Sequence, residues 1–429
     1  MKVYLHSIGC RLNQSEMETL ARQLLAAGHQ LVDEADKADK IVVNTCAVTA
    51  SAAKDARRLT RGMHRQNGGA EIFLTGCYAT IAPAEVGRIT GDAHVVPNAD
   101  KGRLIQILDP QARPDLPVYE QEPILREFLS GSVGANTRAF VKVQDGCDNR
   151  CTFCVTTIAR GPGRSRHLGD VVAEIQALSA AGYREAVLTG VHLGSYGRDL
   201  DNGTGLRELV KAILVHTDIA RLRLSSLEPW DIQPGLFALW ADQRLLPHLH
   251  VPLQSGCDRT LRRMARRTTR TSFRRLAADA RAAIPHLSLS TDIIVGFPGE
   301  TAADFAASLD FVQEMAFARL HVFPYSRRPG TAAAAMPGHL AKKIKKERVR
   351  RMIDLGQSLS QRFHQGYVGR TAAVLWEQTH GADDQGLRWI GYTRNYIRVS
   401  AHGPADLFNR IRPARLLEAR PDGMRAAIL

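Results

Sequence analysis

The chain has 429 residues and a formal net charge of +14, with a sequence pI of about 9.7. That length supports two or three domains with ample cores. No apolar run is long enough to span a bilayer and there is no secretory leader, so no membrane association and a cytoplasmic location are expected. In a reducing compartment the seven cysteines are not a disulfide framework, and the positive excess points to a polyanionic partner held partly by counterion release.

In chain order, three short, apolar, β-branched runs come first: KVYLHSIG from Lys2, KIVVNT from Lys40 and EIFLTG from Glu71. Helical rhythm fills Gln14 to Ala27 and Thr49 to Gln66. Such strand–helix alternation predicts an open parallel sheet. A cysteine stands just after each run: Cys10, Cys46 and Cys77. In an open parallel sheet the loops beyond the strand C-termini gather along one edge, so these three thiols are expected to converge. The competing reading is three independent thiols, since free cysteine packs well as a small hydrophobe.

Around Pro110 to Glu127 a proline-containing, weakly periodic stretch reads as a linker. From about Thr137 to Ser360, six candidate strands follow: AFVKVQ, EAVLTGV, RLRLSS, HLHVPLQ, LSTDIIVGF and RLHVFPY. Helical segments, including Asp170 to Ala181 and Thr301 to Met315, fall between them. Six such steps fit a partial, open barrel better than an eight-fold one, with working residues at the strand C-terminal rim. Cys147, Cys151 and Cys154, in GCDNRCTFC, follow the first strand and so belong on that rim. Beyond Phe363, the runs TAAVLWEQ, RWIGYTRNYIRVSA and NRIRPARLLEA predict a small β-barrel. Its Trp389, Tyr392, Arg394, Tyr396 and Arg398 either grip RNA or, taken one aromatic at a time, pack the barrel's own core. The fold class is therefore α/β with a terminal barrel.

A [4Fe–4S] cube needs one ligand per iron, so a three-cysteine set holds it and leaves one iron open. Structural zinc wants four closed ligands; no second pair follows the compact triad, and His167 lies too far downstream to complete it. Spacing thus favours iron–sulfur for Cys147, Cys151 and Cys154, while Cys257 belongs to neither triad and is expected to be structural. Two basic runs stand out: Arg262, Arg263, Arg266, Arg267 and Arg270, then Lys342, Lys343, Lys345, Lys346, Arg348, Arg350 and Arg351. Each alone reads as a solvated helix face; together, with the net charge, they point to nucleic acid.

CDNRCTFC matches the CxxxCxxC signature of the radical S-adenosylmethionine (SAM) superfamily, with Phe153 just before the last cysteine. IGCRLNQSEME, VVNTCAVT and LTGCYA resemble the amino-terminal domain of the methylthiotransferases. The Ala47-Val48-Thr49 continuation and IGYTRNYIRV are most similar to the MtaB branch, which modifies threonylcarbamoyladenosine in tRNA. The resemblance runs through essentially the whole chain. It implies an amino-terminal methylthiotransferase domain over 1–115, a partial (β/α)6 radical SAM core over 133–363 and a TRAM-like RNA-binding barrel over 366–429.

The same resemblance implies two [4Fe–4S] clusters and SAM as cofactors. Cys147, Cys151 and Cys154 would hold the cluster that binds SAM; Cys10, Cys46 and Cys77 would hold an auxiliary cluster that carries the sulfur. Cofactor contacts are implied for Phe153, Thr189, Gly190, Ser225, Ser226, Glu228, Ile293 and Gly296, although Gly190 and Gly296 also fit plain turn positions. His250 and Gln254 lie at a strand end and fit either a cofactor contact or a satisfied core polar group. The implied reaction is methylthiolation of carbon 2 of N6-threonylcarbamoyladenosine at position 37 of tRNA, with SAM as methyl donor and radical source. That C–H bond is unactivated, so a radical cofactor is needed to break it. Implied partners are the tRNA anticodon loop and an electron donor such as flavodoxin or ferredoxin. The alternatives are a methylthiotransferase acting on isopentenyladenosine or on a ribosomal-protein aspartate, and a non-enzymatic RNA-binding protein with structural metal centres. Two departures from the family, Val155-Thr156-Thr157 for an isoleucine–proline pair and Thr80 for a frequent glutamine, touch loop shape and substrate fit rather than cluster ligands.

Overall fold

The computed structural model describes residues 1–112, 137–201, 203–232, 234–384, 386–404 and 406–429. The linker expected around Pro110 to Glu127 lies, from residue 113 onward, outside the described residues. The chain forms two compact units, one of residues 1–149, 154–183 and 189–191, the other of 150–153, 184–188 and 192–429.

In the first unit, β1 (Lys2–Ser7), β2 (Gln30–Val32), β3 (Lys40–Thr45), β4 (Glu71–Gly76) and β5 (His94–Val96) make one parallel sheet, ordered β2-β1-β3-β4-β5. Helices α1 (Arg11–Ala26) and α2 (Ala50–Gln66) cover opposite faces. Alternate strand residues explain this arrangement. Tyr4, Ile41, Val43, Ile72 and Leu74 pack with Ala53, Ala56 and Met63 of α2. Val3, Leu5, Val42 and Phe73 pack with Met17, Leu20 and Leu24 of α1. Strands buried on both faces read as continuous apolar runs, which is why β1, β3 and β4 were legible; β2 and β5 have three residues each, too few for a pattern. The Thr49 hydroxyl accepts from the Ala52 N–H at 3.1 Å and caps α2. Cys77 opens a short helix, α3 (Cys77–Ile81). The unit also contains β6 (Arg138–Asp145), a brief antiparallel partner β7 (Arg164–Ser165), and helices α4 (Thr156–Arg160) and α5 (Leu168–Ala180).

Through its first four residues, which fall in the second unit, β8 (Glu185–Gly190) pairs in parallel with β9 (Arg221–Leu224), and β10 (His248–His250), β11 (Ser288–Val295) and β12 (Arg319–Pro324) pair in parallel in that order. Single parallel bridges at Leu222–Leu245 and Ser226–His250 carry the ladder from β9 towards β10. Helices α6 (Leu206–His216), α7 (Arg270–Ala283) and α8 (Ala302–Met315) fill the intervals. All six predicted strands of this region are present. Helix α9 (Lys342–Gln365) leads to a closed barrel of β13 (Thr371–Asp383), β14 (Gly386–Thr393), β15 (Arg398–Gly403), β16 (Ile411–Arg420) and β17 (Gly423–Ile428), in the order β13-β14-β15-β17-β16. The fold class is the predicted one.

The barrel aromatics are engaged within the chain. Trp389 is 2% exposed in the barrel core beside Trp376, and its indole N–H donates to the Pro404 carbonyl at 2.9 Å. Tyr396 stacks on Tyr392 with centroids 5.0 Å apart, lies 4.8 Å from His248, and has the Arg223 guanidinium 4.3 Å above its ring. Arg394 donates to the Gln243 carbonyl, and Arg221 to the carbonyls of Tyr392 (3.2 Å) and Ala373 (2.9 Å). These contacts seat the barrel on β9, β10 and their neighbours. Of the two readings left open for these residues, packing within the chain is the one these contacts favour for Trp389, Tyr392, Arg394 and Tyr396; Arg398 pairs with Asp422 at 3.1 Å.

Candidate catalytic centre

β1, β3 and β4 are adjacent and parallel, so the segments that leave them lie at one sheet edge. Cys10 is the N-cap of α1, Cys46 follows β3 directly and Cys77 begins α3. Cys46 and Cys77 are buried; Cys10 keeps solvent contact. The approach is so close that only glycine fits beside it. A Cβ on Gly9 (φ +115°) would lie 2.6 Å from Cys46 Cβ and 2.9 Å from its sulfur. One on Gly76 (φ +96°) would lie 2.3 Å from the Thr45 carbonyl oxygen.

Burial pushes the Cys46 thiol up to about 11, Cys10 and Cys77 reinforce this, and the Val48 N–H at 3.5 Å opposes it. Desolvation also raises the Cys10 thiol, against the pull of Arg160 and Asn13. Three thiols that feel one another electrostatically gain their thiolate form when a metal centre supplies positive charge. A set of three soft donors at one sheet edge fits a cluster with one iron unclaimed by protein. Among the described residues no three Cys, His, Asp or Glu side chains already stand at metal-ligand spacing.

Beside this triad lies a buried charged group that the sequence reading missed. Glu16 accepts from Lys101 at 2.7 Å, Arg160 at 2.9 Å and Lys142 at 3.4 Å. Burial alone would raise its carboxyl; Lys101, Arg160 and Lys142 outweigh that and hold it well below the usual range. The available signal was Asn13 and Glu16, polar residues three apart among the apolar Leu12, Met17 and Leu20 of α1.

The compact triad lies in the loop after β6. The Cys147 N–H donates to the Gly161 carbonyl at 3.0 Å, and the Thr156 N–H reaches the Cys154 sulfur at 3.4 Å. In the second unit, Arg266 reaches the Cys151 sulfur at 3.7 Å. All three cysteines are partly exposed. Phe153 packs with Met264, Phe297, Tyr325 and Ala333.

The other expected cofactor residues fall in different settings. Thr189 and Gly190 end β8, with Thr189 3% exposed. Ser225 and Ser226 follow β9, with Ser226 exposed. Glu228 is gripped by Arg266, which also donates to the Pro252 carbonyl at 2.6 Å and lies 4.5 Å over the Trp230 ring. The Ile293 side chain is fully buried. Gly296 (φ +75°) is buried, gives its N–H to Glu300 at 3.0 Å and has Lys345 packed over it. His250 is half-buried and bonds Ser290 (3.0 Å) and Asp292 (3.2 Å). Gln254, at φ 72°, exchanges main-chain bonds with β11 through Asp292 and Ile294. Cys257 is buried and its thiol donates to Asp304 at 3.3 Å.

The basic runs are only partly solvent-facing. Arg263 donates to the Pro298 carbonyl, Arg266 serves Glu228, Lys345 donates to the Tyr325 carbonyl and Arg348 pairs with Glu300. Arg262, Arg267, Lys342, Lys343, Lys346, Arg350 and Arg351 remain exposed.

Residues 2–97 match the family described as "Uncharacterized protein family UPF0004", and residues 141–312 match the radical SAM superfamily. The threonylcarbamoyladenosine tRNA methylthiotransferase MtaB of Bacillus subtilis (strain 168) is 34% identical over 423 residues, covering 97% of this chain and 94% of that protein. Its namesake in Thermotoga maritima is 38% identical over 387 residues, 87% of this chain and 86% of that one. Among solved structures, the radical SAM methyltransferase TsrM of Kitasatospora setae, with cobalamin and a [4Fe–4S] cluster bound, is similar with a TM-score of 0.57 and 16% identity, covering 78% of this chain and 77% of that one. That likeness speaks for the fold. Both cysteine triads fall inside the matched regions, and the two relatives cover 97% and 87% of this chain. The chain belongs to the radical SAM methylthiotransferase family, in its MtaB-like branch.

Proposed function

We propose that this enzyme replaces the hydrogen on carbon 2 of N6-threonylcarbamoyladenosine, at position 37 in the anticodon loop of tRNA, with a methylthio group. It is a radical SAM tRNA methylthiotransferase that uses [4Fe–4S] clusters and SAM. In this reading it works in the cytoplasm and draws electrons from a flavodoxin- or ferredoxin-like donor. No helix among the described residues is long and apolar enough to cross a membrane. The observation that carries the proposal is the presence of two separate three-cysteine sets, each one ligand short of a closed [4Fe–4S] site.

Cys147, Cys151 and Cys154 would hold the radical-generating cluster, and Cys10, Cys46 and Cys77 the auxiliary one. When bound, such a cluster with SAM supplies the one-electron chemistry that an unactivated C–H bond requires. The remaining work belongs to the chain. Gly9 and Gly76 let the cysteine loops close on Cys46 and β3. Thr189, Gly190, Ser225 and Ser226, at the ends of β8 and β9, would line the SAM site, with Phe153 packed behind the cysteine loop. The buried Arg266 orients the Glu228 carboxylate and approaches the Cys151 sulfur. Backbone at Ile293 and Gly296 would complete the site's wall. The exposed lysines of α9 and the barrel over 366–429 would hold tRNA phosphates; the other domains of this reading are a radical SAM core over 133–363 and an auxiliary-cluster domain over 1–115.

Nucleoside mass spectrometry on tRNA from cells lacking the gene tests this. Loss of 2-methylthio-N6-threonylcarbamoyladenosine with accumulation of its unthiolated precursor is expected. Loss of the methylthio-isopentenyl nucleoside instead would keep the chemistry and overturn the substrate. No change in either would move the target away from tRNA.

A further inference from the structure

Helix α4 begins two residues after Cys154, yet its polar partners belong to the other triad. Asn98 donates to the Ala159 carbonyl at 2.8 Å and reaches the Cys77 sulfur at 3.8 Å. Arg160 donates to Asn13 Oδ1 at 2.9 Å, and the Cys10 thiol contacts the same oxygen at 3.7 Å. Because both meet at one atom, the guanidinium lies within about 7 Å of the Cys10 sulfur, a range at which a buried charge is weakly screened. Arg160 also donates to Glu16 Oε1 and to Asp145 Oδ1, each at 2.9 Å, with its side chain 2% exposed.

The charge balance of this group is uneven. Arg160, Lys101 and Lys142 face two carboxylates, Glu16 and Asp145. Buried charge left without a counter-charge is costly, and Lys142 is the only one of the three cations with a third of its side chain exposed. The group thus carries one more positive than negative charge, with Arg160 and Lys101 matched by Glu16 and Asp145 and the extra charge on the part-exposed Lys142. An oxidised [4Fe–4S]2+ core held by three thiolates would carry one net negative charge and its reduced form two, so a buried cation nearby favours the reduced state.

We propose that Arg160 is a positioning residue for the auxiliary cluster: it fixes α1 behind Cys10 through Asn13 and Glu16, and its charge makes the cluster on Cys10, Cys46 and Cys77 easier to reduce. This rests on the two-cluster reading above.

The test is an EPR-monitored redox titration of the reconstituted full-length chain carrying C147A, C151A and C154A, so that only the auxiliary signal remains. In that background Arg160→Met is expected to disfavour reduction about tenfold, equivalent to ~59 mV for a one-electron couple, while Arg160→Lys stays within about threefold of the parent. Equal shifts in both variants, or no shift in either, would overturn the role of the charge. Should Arg160→Met not fold, Lys101→Met removes a second buried cation of the same group; it should move the potential the same way, and an unchanged value would overturn the proposal. A parent chain with no auxiliary cluster signal would instead overturn the cluster assignment itself.

Discussion

Gly76→Ala is the sharpest single test of how the auxiliary site is built. Gly76 has φ +96° and ψ −171°, a region open essentially to glycine alone, where another residue costs about 1–3 kcal/mol. The added methyl would also meet the Thr45 carbonyl oxygen at 2.3 Å, Asn44 Oδ1 at 2.4 Å and the Thr45 nitrogen at 2.6 Å. These atoms cannot yield easily. Thr45 is paired with Gly76 across the β3–β4 ladder, its hydroxyl donates to the Thr75 carbonyl at 2.5 Å, and Asn44 is fully buried. Overpacking of this kind adds about 1–3 kcal/mol, for a total of roughly 2–6 kcal/mol, a large share of a domain's ~5–15 kcal/mol. If β3 holds, the strain is relieved by displacing α3 and with it Cys77. The assay is iron and acid-labile sulfide in chains lacking the compact triad, together with thermal melting. Gly28→Ala is the control: φ is +79° there but nothing lies within 4 Å of the added carbon, so only backbone strain remains. Gly76→Ala should lose most of its auxiliary iron and melt well below the control. Equal melting with full iron loading would refute the steric argument.

Three other outcomes are expected. Burial, with Glu174 reinforcing it, raises the Glu18 carboxyl to about 7 against the pull of Arg22 and the Phe140 backbone. The folded state therefore prefers the protonated acid, and up to about 3 kcal/mol of stability, present below about pH 4.5, is lost as pH rises through 7. Glu18→Gln should flatten the fall in melting temperature between pH 5 and 8, and parallel curves for the two proteins would contradict the assignment. Tyr396→Ala removes the contacts to Arg223, His248 and Tyr392 and should cost about 1–3 kcal/mol in unfolding free energy; a loss under ~0.5 kcal/mol would mean the barrel is seated by other contacts. Lys342→Glu, Lys343→Glu and Lys346→Glu together should weaken tRNA binding and lower the slope of log K against log salt by about 3. A filter-binding series with unchanged slope would move the tRNA contact off α9.

Much of the architecture was legible because its determinants are local. The β-branched runs at Lys2, Lys40 and Glu71 and the helical rhythm between them are properties of neighbouring residues, and the sheet edge then follows from a general rule of parallel topology. The compact triad is local as well, three sulfurs within eight residues. The same locality misled where arginines cluster. Arg263, Arg266 and Arg348 look like a solvated face in the sequence, but Pro298, Glu228 and Glu300 arrive from 35 to 48 residues away and take them inside. Tyr396 and Arg394 likewise seem free until β9, β10 and Gln243 meet them.

The sequence by itself determined the order of the longer elements, the fold class and the two sets of candidate cluster ligands, since backbone propensity, periodicity and thiol chemistry act over a few residues. Only the tertiary structure decided which charges are buried and what neutralises them. Glu16 and Arg160 are 144 residues apart, and neither alone hints at the other. A buried charge is tolerable only when a counter-charge is brought to it, and that pairing is a property of the folded chain.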